Sequence, residues 1–535
     1  MIKSVLSLFL IYLFITAAAS DPYPKNDAVD IQHYKFSLQL NDTTNVIVAT
    51  AEITILIKKP ISSFALDLIG KTNRTDGMIV SAVRFRKNPL KYTHRNGRLE
   101  LQLGSTINSG ESITISVDYA GHPAEGLIIS ANKFGDRTFF GDNWPDKARN
   151  WLPTIDHPYD KATCEFIITA PGHYQTIANG LLVEQTNLPN DRILTHWKED
   201  VLIPTKVMVI GVARFAKTTS GIVDGISVET WVYPQNKEAG FHDFKIAPKI
   251  LQYFINQVAP FPYKKLANVQ STTSFGGMEN ASNIFYFEDA VNGQNEREGT
   301  IAHEIAHQWF GDSASELDWH HVWLSEGFAT YFTNLYYEQT YGKDILAERM
   351  KEQRQKVISY YKQNPSPVVD TTISEIRKVL NTNTYQKASW ALHMLRKEVG
   401  DSAFFNGIKS YYYTYQNANA LTDDFRRIME KESGKDLNPF FQQWLWKGGH
   451  PNLSVQWTYD QSKKAVVINV RQNQTTLIKT PLEIGIISDN GAIGKQSIML
   501  TEKDAEYALP AEKEPQQVIL DPDTWLLYEG NIRPK

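Results

Sequence analysis

The sequence predicts a multidomain α+β protein: a large N-terminal β domain, a mainly helical middle domain, and a small C-terminal β-sandwich. Three observations carry this. Stretches such as 46–57 and 112–119 alternate or are rich in β-branched residues, and Gly, Asn and Pro punctuate them. Near Pro234 the character changes, and the periodicity is helical from Phe241 to about Gly449. From Pro451 short strands return, separated by turns such as Asp489-Asn490-Gly491. The boundaries implied are 1–20 for a leader, 21–235 for the β domain, 236–449 for the helical domain and 450–535 for the sandwich.

The chain has 535 residues, room for several domains at ~150 residues each. Hydrophobic residues make up 42% and charged residues 21%, the balance of a globular protein with a sizeable core. The formal net charge is -4 and no long single-sign block occurs, so nothing electrostatic points to nucleic acid or an anionic membrane surface.

The first element is a leader. Lys3 supplies a positive start, residues 5–17 an apolar run, and Ala17-Ala18-Ala19-Ser20 small residues for cleavage after Ala19 or Ser20. The run is 13 residues long, short of the ~20 that a membrane-spanning helix needs. The expectation is an exported protein, periplasmic or extracellular, with no stable membrane insertion once the leader is removed. Cys164, the single cysteine, excludes an internal disulfide and a thiolate metal cluster, and its strand-like surroundings predict a small core residue.

In the middle domain the longest helical patterns are 300–309, 325–341, 344–363 and 387–399, and one extended segment, 267–287, interrupts them. The first pattern carries His303-Glu304-Ile305-Ala306-His307. Residues four apart on a helix share a face, so both imidazoles can reach one metal ion. A catalytic zinc takes three protein ligands and keeps an open position. Glu326, opening the next helix, is the candidate third ligand; His320 and His321 are rivals, of which adjacency allows only one to serve. Glu304 is not expected to bind metal and is the natural base for water.

With these residues the chain resembles the M1 family of zinc aminopeptidases, over nearly all of its length after the leader. Four stretches carry the resemblance, in order. Ala148-Arg149-Asn150-Trp151-Leu152-Pro153-Thr154-Ile155-Asp156-His157-Pro158 with Lys161 is similar to a stretch of the family's N-terminal β domain. Gly276-Gly277-Met278-Glu279-Asn280 matches the family's exopeptidase motif. The histidine motif comes next, with 18 residues between His307 and Glu326. Tyr385-Gln386-Lys387 is similar to the stretch that carries the catalytic tyrosine.

The resemblance implies a thermolysin-like catalytic domain, one zinc per chain on His303, His307 and Glu326, and hydrolysis of the N-terminal bond of peptides by water activated on the metal. It implies that Glu279 grips the substrate's α-ammonium, that Gly276 and Gly277 leave backbone open for a peptide strand, and that Tyr385 donates to the developing oxyanion. Met278 and the loop 141–145 are expected to line the pocket for the first substrate residue.

The departures are informative. Trp144 stands where relatives carry a second amine-binding residue, so that Asp142, Asn143 or no residue at all takes its place. Ala388 replaces a glycine after Lys387, and Thr330 and Thr333 occupy the face of the Glu326 helix where relatives place a carboxylate. The sequence ends after the expected sandwich, without the large helical C-terminal domain common in the family, which implies a short form with a more open site. The alternative readings are a thermolysin-like endopeptidase and a catalytically silent peptide-binding scaffold. The epoxide hydrolase activity found within the family is not expected here. Oligomeric state is open.

Overall fold

A computed structural model describes residues 21–71 and 76–535; the leader expected at 1–20 lies outside the described residues. The N-terminal region is built almost wholly from strands. Its largest sheet has eight, in the order Leu181–Leu188, Arg192–Pro204, Lys161–Pro171, Val29–Gln39, Ile47–Ile57, Ser112–His122, Gly77–Phe85 and Asn88–Pro89. Alternate residues of Ile47–Ile57 are buried, so one face of the strand is core and the other is wet. Cys164 lies in Lys161–Pro171, fully buried, and burial pushes its thiol well above the ordinary range. It is the core residue expected.

A five-stranded sheet comes next, in the order Ala216–Val223, Ile226–Val232, Lys265–Ser271, Asn283–Phe287 and Gly277–Met278. The break expected between 235 and 236 falls between strands of this sheet. Strand Ile226–Val232 pairs in parallel with Lys265–Ser271, so strands from both sides of the expected break share one sheet. Local strand propensity is the same in both sheets, and only pairing assigns a strand to one of them. The extended segment 267–287 supplies three of the five strands. Its shortest, Gly277–Met278, forms the sheet's edge, pairing antiparallel with Tyr286 and Phe285.

Helix Glu298–His307 packs on this sheet at its Gly277–Met278 edge, Trp323–Tyr341 packs on that helix, and Lys343–Tyr361 and Ala388–Val399 pack on Trp323–Tyr341. Beyond them lie a four-stranded sheet (Asp504–Pro510, Ala465–Gln472, Asn452–Asp460, Glu529–Pro534) and a three-stranded one (Ile493–Leu500, Thr480–Ile487, Gln517–Leu520). No helix among the described residues is long and apolar enough to cross a membrane.

Buried polar contacts tie these regions together. Lys161 Nζ donates to the Asp312 and Ser313 carbonyls at 3.0 and 2.6 Å, just past the end of the His303 helix. Lys206 Nζ meets Glu316 Oε1 at 2.6 Å, both side chains buried. On the C-terminal side Arg354 pairs with Asp521 at 2.7 Å, and His393 Nε2 lies 3.0 Å from the Thr524 carbonyl.

Candidate active site

Two helices and one sheet edge converge. Helix Glu298–His307 places His303 and His307 one turn apart, and helix Trp323–Tyr341 brings Glu326 from its first turn onto the same point. The two Nε2 atoms lie 3.0 Å apart, and Glu326 Oε2 lies 3.3 Å from His303 Nε2 and 3.2 Å from His307 Nε2. Metal–ligand bonds of 2.0–2.1 Å at tetrahedral angles set ligand atoms roughly 3.3 Å apart. The triangle fits a zinc ion, and its donor set is that of a catalytic site.

The tautomer of His307 is set by its surroundings. Nδ1 lies 3.0 Å from the Phe310 carbonyl, which can only accept, so Nδ1 carries a proton and Nε2 is the nitrogen left to bind a metal. Ser325 Oγ lies 3.0 Å from the same nitrogen. Gly311 permits this packing: its φ is +122°, and a Cβ there would collide with Ser325 Oγ.

The rival histidines are engaged elsewhere. His320 lies with its Nε2 2.9 Å from the Ile373 carbonyl and its Nδ1 3.0 Å from Asp318, and His321 Nδ1 sits 2.8 Å from Thr422 Oγ1. Thr333 bonds back to the Ala329 carbonyl of its own helix, while Thr330 Oγ1 is buried without a partner.

Three carboxylates surround the rings. Ligand atoms of Glu279, Glu304 and His307 lie within 4.8 Å of one another, as do those of His303, His307 and Glu326. Burial raises Glu304 well above its ordinary range, and burial raises Glu279. Burial opposes charge on Glu326 too, yet His307 and His303 hold it well below the usual carboxylate range. Burial likewise disfavours charge on His307, but Glu326, Glu279 and Glu304 outweigh that and push it up to about 10. A divalent cation among these groups neutralises carboxylates that burial otherwise penalises.

Glu279 Oε1 and Glu304 Oε2 are buried and have no hydrogen-bond partner among the described residues. Buried carboxylate oxygens are rarely left so unless something else meets them. Glu304 rests on the sheet edge: a Cβ at Gly277 would collide with its carboxylate, whereas one at Gly276 would meet nothing within 4 Å. Gly277→Ala is therefore expected to displace Glu304 while leaving the metal ligands in place. A displacement of about 1 Å at a catalytic group costs ~100-fold in rate. The expected result is a loss of kcat of that order with zinc content unchanged; Gly276→Ala, measured alongside, is the control expected to keep its metal and fold.

A side chain that sequence reasoning misses connects the two halves. Gln308, fully buried, donates from Nε2 to the Glu279 carbonyl at 2.8 Å and to Asp312 Oδ2 at 3.0 Å, and its Oε1 accepts from Ser282 N at 2.8 Å. It anchors the Glu279 strand to the His307 helix. Its position next to His307 is the one signal in the sequence, and a glutamine there has many uses. Met278, expected to line the pocket, is packed into the hydrophobic core. Asn280 is also buried, with neither amide atom hydrogen-bonded. The cavity beside the metal ligands is about 520 Å³, and its wall on this side is Phe275, Gly276 and Gly277.

Asp142 and Asn143 differ in their partners. Asn143 gives Nδ2 to the Thr205 and Met208 carbonyls and accepts from Trp151 Nε1, so its amide is committed. Asp142 lies beside the segment leading to Phe275, with Thr273 Oγ1 3.4 Å from Oδ2, Lys147 Nζ 3.8 Å from Oδ1, and Oδ1 without a hydrogen bond.

Tyr385 approaches from the opposite side, on a π-helical turn, Asn383–Lys387, of the kind often found at functional sites. Its ring stands parallel to that of His303, with centroids 6.1 Å apart. Burial, then Glu326, raises its phenol well above the ordinary value, so it keeps its proton. The turn packs closely on the Glu326 helix, since a Cβ at Gly327 would collide with the methyl of Ala388. Lys387 points elsewhere, toward the Lys447 carbonyl at 3.4 Å.

Known proteins show the same division. The peptidase family M1 domain matches residues 242–444, and the peptidase M1 N-terminal domain matches 31–207. A probable aminopeptidase 2 from Sulfurisphaera tokodaii is 27% identical over 325 residues, covering 58% of this chain and 41% of that protein. Human glutamyl aminopeptidase is 26% identical over 365 residues, 64% of this chain and 37% of that protein. The chain thus spans about two fifths of the length of these curated relatives. Among solved structures, the M1 zinc metallopeptidase from Deinococcus radiodurans has a TM-score of 0.67 at 23% identity, covering 78% of this chain and 93% of that one. A mutant of that protein, solved with a Tyr-Ser-Ala substrate, has a TM-score of 0.66 at 22% identity.

Proposed function

The chain belongs to the M1 family of peptidases, and on that premise we propose that it is a zinc-dependent aminopeptidase, releasing the first residue of peptides with a free N-terminus. The observation that carries this is the position of Glu279: an unpartnered buried carboxylate that shares a 4.8 Å cluster with Glu304 and His307. An endopeptidase has no use for a buried anion at that distance.

In this reading His303, His307 and Glu326 hold one zinc ion per chain. Zinc there supplies a Lewis acid that polarises the scissile carbonyl and eases deprotonation of water. Every other step falls to the chain itself. Glu279 binds the α-ammonium, with Asp142 as a second anion nearby, and so counts one residue from the end of the peptide. The edge strand at Gly277 offers main-chain pairing to the substrate backbone. Glu304 accepts a proton from the attacking water and returns it to the departing amine. Tyr385 donates its phenolic proton as a hydrogen bond to the oxygen that gains charge. Phe310 and Ser325 hold the His307 ring in its ligating tautomer throughout.

The reading extends to two further points. The two C-terminal sheets are read as one small β-sandwich, supported by the alternating burial along strands such as Asn452–Asp460. Residues 1–20 are read as a cleaved export leader and the enzyme as exported; the positive start, the apolar run and the small residues Ala17 to Ser20 support this reading.

A panel of aminoacyl chromogens, assayed before and after chelation, tests the activity. Hydrolysis that is lost on exhaustive chelation and restored by about one equivalent of zinc per chain is the expected result. Undiminished hydrolysis by metal-free protein contradicts it.

A further inference from the structure

The cleavage site and the interior of the fold are connected through Asp21. Its backbone N–H donates to Asp318 Oδ2 at 3.1 Å, and Asp21 and Asp318 are only 4% and 6% exposed. The Asp21 carboxylate is held equally firmly. Its Oδ2 lies 2.8 Å from His157 Nε2 and accepts from Trp319 N at 3.3 Å, and its Oδ1 accepts from Tyr23 N at 3.1 Å. Lys25 Nζ lies 3.3 Å from the same Asp318 oxygen. On its other oxygen Asp318 accepts from His320 N at 3.1 Å, with the His320 ring nitrogen at 3.0 Å.

The surroundings explain why this anchorage matters. His157 belongs to the Asp156-His157-Pro158 stretch of the β domain and stacks on Tyr23 with centroids 4.7 Å apart. Asp318 lies in the connection between the helix of His307 and the helix of Glu326, and it caps the 3-10 turn Trp319–His321. The start of the described chain therefore binds the β domain to the linker between the two ligand-bearing helices.

We propose that Asp21 is the first residue of the mature protein and that its α-ammonium forms a buried ion pair with Asp318. The small residues Ala17 to Ser20 allow cleavage after Ala19 or after Ser20. Only the second cut frees the nitrogen that faces Asp318. Hydrolysis of the Ser20–Asp21 bond by a leader peptidase adds one water molecule: Ser20 keeps the new carboxylate, and the Asp21 nitrogen becomes an amine that is protonated at neutral pH. The neutral amide donor at 3.1 Å is thereby replaced by a charged one, and charge-assisted hydrogen bonds are about twice as strong. Burial in this setting also favours geometry over solvent competition. Processing then contributes to the order of the active site, because an amide retained at Asp21 has no charge to give Asp318.

The cutting event rests on the export reading, but the ion pair does not, and two measurements separate them. N-terminal sequencing of the exported protein should begin at Asp21. A start at Ser20, or a retained leader, overturns the proposal. For the ion pair, proteins beginning at Asp21 and at Ser20 are released from fusions in a Glu304→Gln background, which prevents self-trimming. Their α-amines are labelled near neutral pH with an amine acylating reagent, in native buffer and in urea. An ion pair that raises the amine pKa by ~1 unit lowers its reactive fraction ~10-fold. The Asp21 protein should be labelled at least that much more slowly when folded, and the Ser20 protein at similar rates in both states. Asp318→Asn should abolish the protection; if that variant does not fold, the Asp21-against-Ser20 comparison decides alone. Equal labelling of the folded and unfolded Asp21 protein overturns the ion pair.

Discussion

Replacing Glu304 with Gln is expected to lower kcat by ~10³- to 10⁴-fold, the upper range for loss of a general base, while zinc remains bound. The geometry makes this substitution clean. Glu304 is not one of the three atoms in the triangle of His303, His307 and Glu326, so the metal keeps its ligands. Gln has the same shape, so the contact with Gly277 survives. What is lost is the ability to accept a proton at Oε2, the atom with no partner among the described residues. Zinc content by elemental analysis and steady-state rates on one aminoacyl chromogen check both halves. A fall of only a few-fold makes Glu304 a packing residue rather than the base.

Glu279→Ala should act on a different quantity. Losing one charge-assisted contact to a bound ammonium in a desolvated site costs ~2–4 kcal/mol, or roughly 30- to 1,000-fold in kcat/KM. Zinc should again stay, since Glu279 is outside the ligand triangle. The removed side chain also takes a buried anion away from His307, so a metal assay must accompany the kinetics. Where Asp142 shares the ammonium, the loss from Glu279→Ala is smaller, and Glu279→Ala combined with Asp142→Ala should lose more than either alone. If the single variant keeps full kcat/KM on free peptides, Glu279 does not hold the substrate's amine.

Much of this site is legible in the sequence because its chemistry is local. Two histidines four residues apart on a helix face one point whatever the rest of the fold does, and so the His303 and His307 pair can be read directly. Glu326 stands out from His320 and His321 only through the family's spacing, and the reason it wins is tertiary: both rivals are engaged with the chain elsewhere, at Ile373 and Thr422. The supporting contacts are not legible. Ser325, Gly311 and Gln308 act across elements, through a ring nitrogen, a missing Cβ and a backbone carbonyl, and nothing in their immediate neighbours marks them. Asp142 and Asn143 are adjacent polar residues of similar size, and only their partners tell them apart. Strand Ile226–Val232 is a similar case: its residues specify an extended chain, and the sheet it joins is decided by pairing with Lys265–Ser271. Periodicity starts two helices two residues late, at 300 and 325, where the structure begins at Glu298 and Trp323, since neither has a side-chain cap.

The central claim is that the site measures one residue from a charged N-terminus, and the most direct test compares one peptide with and without an N-acetyl group. Acetylation removes the positive charge that Glu279 is placed to bind and puts bulk where the cleft ends, but it leaves the scissile bond and the metal chemistry untouched. The comparison also does not depend on how Glu279 and Asp142 divide the ammonium. The free peptide should lose its first residue, identified by mass, while the acetylated peptide is hardly cleaved at all. Comparable cleavage of the two, at any bond, contradicts the aminopeptidase assignment while leaving the zinc site standing.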